Sequence, residues 1–164
     1  MTLEAVQVAV YKSLPRWLRV RAVRHATPNF TVGSLGLITH DGGHVLLVRT
    51  TYRNGWLPAG GFVRRGETPH AAVTREVGEE LGVEVAFRDH HRVYFDVARR
   101  AVTFISVGVV PEDTVFVPRT AELAEVRWFR LDELPPMPHD FTEGMPEEDL
   151  DAIRAAVRPS RPRS

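Results

Sequence analysis

The stretch GFVRRGETPHAAVTREVGEELGV, residues 61–83, is the most informative part of this chain. It places Glu76, Glu79 and Glu80 at relative positions i, i+3 and i+4. In a helix these positions share one face, so the three carboxylates are expected to converge. Unpaired anions at this spacing repel one another, and a hard cation such as Mg²⁺ or Mn²⁺ relieves the repulsion. The spacing therefore predicts metal-assisted phosphate chemistry, the alternative being a solvated acidic helix face.

The same segment resembles the signature of the Nudix hydrolase family, G-x5-E-x7-R-E-U-x-E-E-x-G-U, where U is a bulky apolar residue. Every fixed position is filled at the right spacing, by Gly61, Glu67, Arg75, Glu76, Val77, Glu79, Glu80, Gly82 and Val83. The resemblance implies an α/β protein, an α/β/α sandwich with a mixed β-sheet. It also implies hydrolysis of a diphosphate linkage with Mg²⁺ or Mn²⁺ as cofactor. We call residues 61–83 the box segment.

The resemblance also implies roles for single residues of the box segment. Metal binding is expected at Glu76, Glu79, Glu80, Glu67 and Gly61. Catalytic roles are expected for Glu79, Glu80 and Arg75, with one glutamate helping to deprotonate water. Glu67 alternatively serves as a helix-entry carboxylate that the helix dipole favours. We expect Arg75 to pair with Glu67 or Glu79 and hold the loop against the helix, a direct phosphate contact being the alternative.

Outside these positions, four further residues are candidates. Glu122 lies six residues before Trp128, where several Nudix enzymes carry a base or an added ligand; its rivals are Glu125 and a plain surface acid. Trp56 either stacks on a substrate base or packs as a core aromatic under the loop, and we favour the core position. Arg53 could reach a phosphate. Arg64 stands where many family members have glutamate, so it either removes an accessory ligand or offers a cation to a phosphate.

Composition narrows the function classes. The 164 residues include 21 basic and 21 acidic ones, which gives no global attraction to nucleic acid or to an anionic membrane. No cysteine is present, which excludes disulfides and the thiol that a Nudix-type isoprenoid diphosphate isomerase needs. Without a signal-peptide pattern or a long apolar run, we expect a cytoplasmic protein that acts on a small nucleotide.

The substrate stays open at this level. Neither the proline that accompanies ADP-ribose hydrolysis in the family nor the tyrosine that accompanies dinucleoside polyphosphate hydrolysis occupies its place in residues 97–100. A nucleotide sugar, ADP-ribose or a nucleoside triphosphate all fit. The alternative function is a nucleotide-sensing Nudix domain that does not hydrolyse its ligand.

The pattern along the chain predicts three parts: a helical segment at 1–28, a domain at 29–158 and a disordered tail at 159–164. In the first part, Ser13 is expected to cap a basic amphipathic helix. That helix packs on the core or on a second subunit of a homodimer, or it lies on a membrane or a partner. Thr68, Pro69 and Gly82 predict a helix from 69 to 81. Strands are expected at 30–38, 44–49, 83–87, 91–97, 102–110 and 126–130, with turns at 41–43 and 131–134, a loop at 50–60 and a terminal helix at 147–157.

Overall fold

The computed structural model describes residues 11–40, 43–88 and 92–138, and the chain divides into two compact units, Met1–Phe30 and Thr31–Ser164. The described part of the first unit contains helix α1 (Arg16–Ala26). The described part of the second unit contains β1 (Thr31–His40), β2 (His44–Thr50), β3 (Ala59–Phe62), α2 (Pro69–Leu81), β4 (Arg92–Asp96), β5 (Ala101–Val109) and β6 (Leu123–Arg130).

All six strands belong to one sheet, in the order β4-β5-β1-β2-β6, with β3 beside β1. β1 runs parallel to β5, and the other pairs are antiparallel. One edge of β1 carries β5, while the other edge carries β3 at its start and β2 at its end. The mixed sheet that the sequence predicts is therefore confirmed.

Two apolar clusters lie on the two faces of this sheet. Side chains alternate between the faces along a strand, so Leu46 and Val48 of β2 point to one side and Val45 and Leu47 to the other. The first cluster includes the buried residues of α2, which identifies the face that this helix covers. Helix α2 of the box segment is thus anchored to one face of the sheet, while Gly61 and Phe62 at its start belong to strand β3.

Helix α2 has the boundaries that its end residues predict. The Thr68 side chain accepts a hydrogen bond from the Ala71 N–H at 3.2 Å, and Pro69 is the first helical residue. Gly82 ends the helix in the left-handed region, at φ 70° and ψ 20°. The apolar side chains of Val73, Val77 and Leu81 lie on one face of α2 and are at most 2% exposed. These contacts fix the rotation of α2 and therefore the direction of its glutamates.

Strand β3 is a difference from the expectation of a plain loop at 50–60. It pairs Ala59 to Phe62 with Gly36 to Gly33 of β1. Glycine is unfavourable in strands, so composition argued against a strand here. The two backbones approach so closely that a Cβ on Gly60 would lie 2.2 Å from the Ser34 carbonyl oxygen, which explains why the pairing needs glycine.

The strand expected at 83–87 is wrong. Val85 and Phe87 are buried in alternation, as the pattern indicates, but only an isolated bridge joins Phe87 to Gly108. The remaining predicted strands are present with ends shifted by up to three residues. At 131–134 the Glu133 N–H donates to the Arg130 carbonyl at 3.1 Å, and at the β1–β2 turn Gly43 has φ 71°.

Helix α1 begins after Pro15, with no side-chain cap, so the predicted Ser13 cap is wrong: Ser13 itself lies in a helical turn before Pro15. Trp17, Val20 and Val23 of α1 are exposed in the structure. Among the described residues no helix has the length and apolarity of a membrane span. The apolar positions at 3, 6 and 10, the turn residues Asp41 and Gly42, the helix at 147–157 and the tail at 159–164 fall outside the described residues.

Candidate active site

Arg75 is the central contact of the box segment. Its Nε and Nη2 donate to Oε1 and Oε2 of Glu67 at 2.8 and 3.2 Å, a bidentate pair that ties the incoming loop to α2. Its Nη1 lies 2.7 Å from Glu76 Oε1 and 3.2 Å from Glu79 Oε2. Its Nη2 also donates to the Phe62 carbonyl at 3.2 Å. The pairing with Glu67 and Glu79 that the sequence predicts is present, and Glu76 joins it.

Glu67 is held by both sides of the loop. The hydrogen bond from Arg75, and then one from the Arg64 backbone N–H at 2.9 Å, lower the pKa of Glu67 to about 2. The carboxylate is therefore ionised at any physiological pH. Its two oxygens accept from Arg75 and Arg64, so its first role in this conformation is to hold the loop.

Gly61 lies directly against Glu76. A Cβ at Gly61 would sit 2.6 Å from the Glu76 carboxylate carbon, well inside contact distance. Only glycine lets the β3 backbone and this carboxylate occupy neighbouring positions. The close approach explains why the box segment needs glycine at its first position, since a methyl group would push Glu76 aside.

Glu80 differs from the other glutamates because it lacks an arginine partner in the described structure. Its Oε2 is shielded from solvent and has no hydrogen-bond partner. Burial, and then the charges of Glu76 and Glu122, raise the pKa of Glu80 to about 7. The Gly60 backbone N–H donates to this carboxylate and acts in the opposite direction. Glu80 is thus a half-buried acid whose charged form needs a further cation.

Glu122 approaches Glu80 from the loop between β5 and β6. The Arg119 N–H donates to the Glu80 carbonyl at 2.8 Å, and the Thr51 N–H donates to the Glu122 carbonyl at 2.8 Å. These bonds place the exposed Glu122 carboxylate where its charge acts on Glu80. Glu125 is engaged elsewhere, since it pairs with Arg49 at 3.0 Å and with Arg127.

Trp56 packs away from the acidic residues. It joins the apolar cluster on the face of the sheet opposite α2, with its ring 4.7 Å from that of Phe129 in an edge-on contact. The guanidinium carbons of Arg49 and Arg127 lie 5.9 and 5.3 Å from its ring centroid. Arg53 lies over the ring of Tyr52 at 5.9 Å. The contacts around Arg75 and Glu80 do not include Trp56, and a substrate role for Trp56 or Arg53 stays a prediction.

The convergence of the three α2 carboxylates that the spacing predicts is not present among the described residues. In the described residues, no three acidic or histidine side chains are grouped closely enough to hold a metal ion. Arg75 binds Glu76 and Glu79, whereas Glu80 has no arginine partner in the described structure and lies near Glu76 and Glu122. The donor set still fits a hard divalent cation, since the orphaned Glu80 oxygen is a buried anionic ligand with others nearby.

Sequence reasoning missed two contacts that position the site. The buried Ser34 hydroxyl donates to the Pro69 carbonyl at 2.7 Å and joins β1 to the first turn of α2. Arg119 packs over Gly82, where its Nε would lie 1.9 Å from an added Cβ. Neither residue stands in a recognisable pattern, because both contacts join positions far apart in the chain. No local signal could have identified them.

Comparison with known proteins agrees with this geometry. A family model described as NUDIX domain matches residues 29–158. The chain is 35% identical over 104 residues to mRNA-decapping enzyme subunit 2 of Arabidopsis thaliana, covering 61% of this chain and 28% of that protein. It is 30% identical over 125 residues to the NAD-capped RNA hydrolase NudC of Pseudomonas aeruginosa, covering 70% and 41%. The chain spans less than half the length of both relatives.

Among solved structures, an ADP-ribose pyrophosphatase from Streptococcus suis is similar with a TM-score of 0.61 and 23% identity. The match covers 80% of this chain and 94% of that one, and it shows a shared fold. The family model covers the sheet, the box segment and the loop of Glu122. The chain therefore belongs to the NUDIX family.

Proposed function

We propose that the protein is a Mg²⁺-dependent pyrophosphohydrolase. It would cleave a nucleoside diphosphate linked to another moiety by attack of water on phosphorus. The observation that carries the proposal is the Glu80 carboxylate, which is half-buried, has an unpartnered oxygen and faces Glu122. Burying such an anion is costly, and a divalent cation supplies the missing charge. Mn²⁺ is the expected substitute, since it also prefers hard oxygen ligands.

We propose the roles from the resemblance of the box segment, supported by the contacts around α2. Glu76, Glu79 and Glu80 bind the cation, and Glu67 and Gly61 complete that part of the site. When bound, the cation neutralises phosphate charge and lowers the pKa of water. Glu122 takes the proton of the attacking water, with Glu79 or Glu80 as the alternative base. Arg75 acts by holding Glu67, Glu76 and Glu79 in register.

The substrate class is proposed from the chemistry that the relatives' names share. NAD-capped RNA and ADP-ribose both contain a nucleoside joined through a diphosphate to a second group, and the relatives named for them match this chain. We therefore expect a nucleotide sugar, ADP-ribose, a nucleoside triphosphate or a dinucleotide to be hydrolysed. The balanced charge argues against tight binding of long nucleic acid. A capped oligonucleotide in the panel tests this expectation, because it should be a poorer substrate than the small nucleotides.

The test is release of phosphate monoester from such a panel, with and without Mg²⁺. Wild type is compared with Glu80→Gln and with Glu84→Gln, an exposed glutamate outside the proposed machinery. Glu80→Gln should lower kcat by about a thousandfold, because a metal ligand contributes several kcal/mol to the transition state. Glu84→Gln should be unaffected. Near-normal turnover by Glu80→Gln would contradict the metal assignment.

The alternative function is a nucleotide sensor. If the folded wild-type protein binds nucleotides but hydrolyses no compound of the panel, the sensor function is supported and the hydrolase proposal is contradicted. The intact box segment supports hydrolysis. A homodimer and a cytoplasmic location stay predictions from the sequence, and light scattering of the purified chain tests the first of them.

A further inference from the structure

Arg64 is fixed beside the glutamates of α2 by a tight turn. Its backbone N–H donates to Glu67 Oε2 at 2.9 Å, and the Glu67 N–H donates back to the Arg64 carbonyl at 3.1 Å. Gly66 completes the turn with φ 83°. The Arg64 side chain then reaches α2, where Nη2 lies 3.2 Å from Glu79 Oε2. The turn therefore holds the Arg64 backbone within side-chain reach of Glu79.

One oxygen of Glu79 accepts from two arginines. Arg75 Nη1 lies 3.2 Å from the same Oε2 that Arg64 contacts. The two cations differ in freedom: the Arg75 side chain is 18% exposed and is held by Glu67 and Glu76, whereas the Arg64 side chain is 60% exposed. Arg64 is thus the cation that can leave Glu79 without disturbing the loop.

We infer that Arg64 competes with the divalent cation for Glu79 and thereby weakens metal binding. The inference rests on the proposed metal-dependent function. Two positive charges a few ångströms apart repel each other, so a cation bound at Glu79 must displace Arg64 or bind beside it at a cost. Because this ion pair is exposed, the competition is modest, and added salt screens it.

The test is Mn²⁺ binding to the 164-residue chain, measured by calorimetry without substrate. Arg64→Gln should bind Mn²⁺ about two- to fivefold more tightly than wild type, the range expected from removing an exposed charge pair. Arg65→Gln is the matched control, since it removes the same charge one position away, from an exposed side chain with no described contact to Glu79. Its effect should be smaller.

A second pair of variants tests whether the effect of Arg64 on Mn²⁺ affinity requires the Glu79 carboxylate. In a Glu79→Gln background, the further change Arg64→Gln should leave Mn²⁺ affinity unchanged, because no carboxylate remains to compete for. An equal gain in both backgrounds, an equal gain with Arg65→Gln, or no gain at all overturns the inference. Absence of Mn²⁺ binding to folded wild type overturns the proposed metal dependence, and this inference with it.

Discussion

At the scale of single residues, the site depends on which glutamates have an arginine partner. Arg75 pairs with Glu67, Glu76 and Glu79. Glu80 is instead subject to burial and to the negative charges of Glu76, Glu122 and Glu79. The same sequence pattern thus produces two kinds of carboxylate. Three are paired with Arg75, and the fourth, Glu80, has an oxygen without a hydrogen-bond partner. That division could not be predicted from spacing alone, because it depends on where the loop brings Arg75 and Glu122.

Gly61→Ala should change metal binding at the site while leaving the stability of the fold almost unchanged. The new methyl group meets the end of a flexible side chain, so the fold adjusts by moving the Glu76 carboxylate. We expect a change in the free energy of unfolding of at most about 1 kcal/mol, the size of an ordinary surface substitution or slightly more. Mn²⁺ affinity, measured by calorimetry, should fall at least about tenfold, since a metal ligand is displaced.

Gly78→Ala is the control for that variant. An added Cβ at Gly78 meets no atom within 4 Å, so this glycine is not required for packing. Alanine favours the helix interior by roughly 1 kcal/mol, so Gly78→Ala should raise stability in chemical denaturation. If Gly61→Ala keeps wild-type Mn²⁺ affinity, Glu76 is not a ligand.

The pH dependence of stability offers a second check on Glu80. In the metal-free protein burial raises the pKa of Glu80 from its ordinary value of 4.5 to about 7, so folding favours the protonated acid. Stability is therefore lost as pH rises between these values, and the loss is complete above the folded pKa. Glu80→Gln has no carboxyl group to titrate at this position and should show no such loss.

The measurement is thermal unfolding of both proteins in a chelating buffer from pH 5 to pH 8. The Tm of Glu80→Gln relative to wild type should rise across this range and then level off. Parallel Tm curves would show that Glu80 ionises as an ordinary exposed acid.

At the scale of elements, the sequence predicted correctly those helix ends that are determined by residues within one turn. Thr68, Pro69 and Gly82 define α2 because caps and backbone preferences act within one turn. β3 was missed, and a strand was wrongly expected at 83–87, because pairing at both places depends on strands far away in the chain. The position of Glu122 beside Glu80 likewise depends on hydrogen bonds from Thr51 and Arg119.

The turn between β4 and β5 contains a residue in an unfavourable conformation. Arg100 has φ 51°, in the left-handed region that costs a side-chain-bearing residue about 1–2 kcal/mol. Arg100→Gly should therefore raise the free energy of unfolding by about 1 kcal/mol in urea denaturation. Arg99→Gly should lower it, because the Arg99 side chain pairs with Asp96 at 2.8 Å. A loss of stability in Arg100→Gly would show that its side chain makes a contact worth more than the strain.

At the scale of the whole molecule, both apolar clusters and all the proposed site residues lie in the unit Thr31–Ser164. We propose that residues 29–158 form the functional domain and that residues 1–28 are a helical segment that packs on it without contributing a site residue. A protein lacking residues 1–28 should fold cooperatively and bind Mn²⁺ within about twofold of the full chain, since no ligand is removed. Loss of cooperative unfolding in calorimetry would show that α1 completes the core.

The parallel pairing of β1 with β5 has a kinetic consequence. Thr31 pairs with Ala101, which lies about 70 residues later, so this ladder forms only after a long stretch of chain has closed on itself. β3, which carries Gly61 and leads into α2, pairs with the opposite edge of the same strand. A nascent chain that has emerged only as far as α2 lacks β5, so β1 would still have one unpaired edge. We therefore expect the acidic site to become rigid late in folding, once β5 is available.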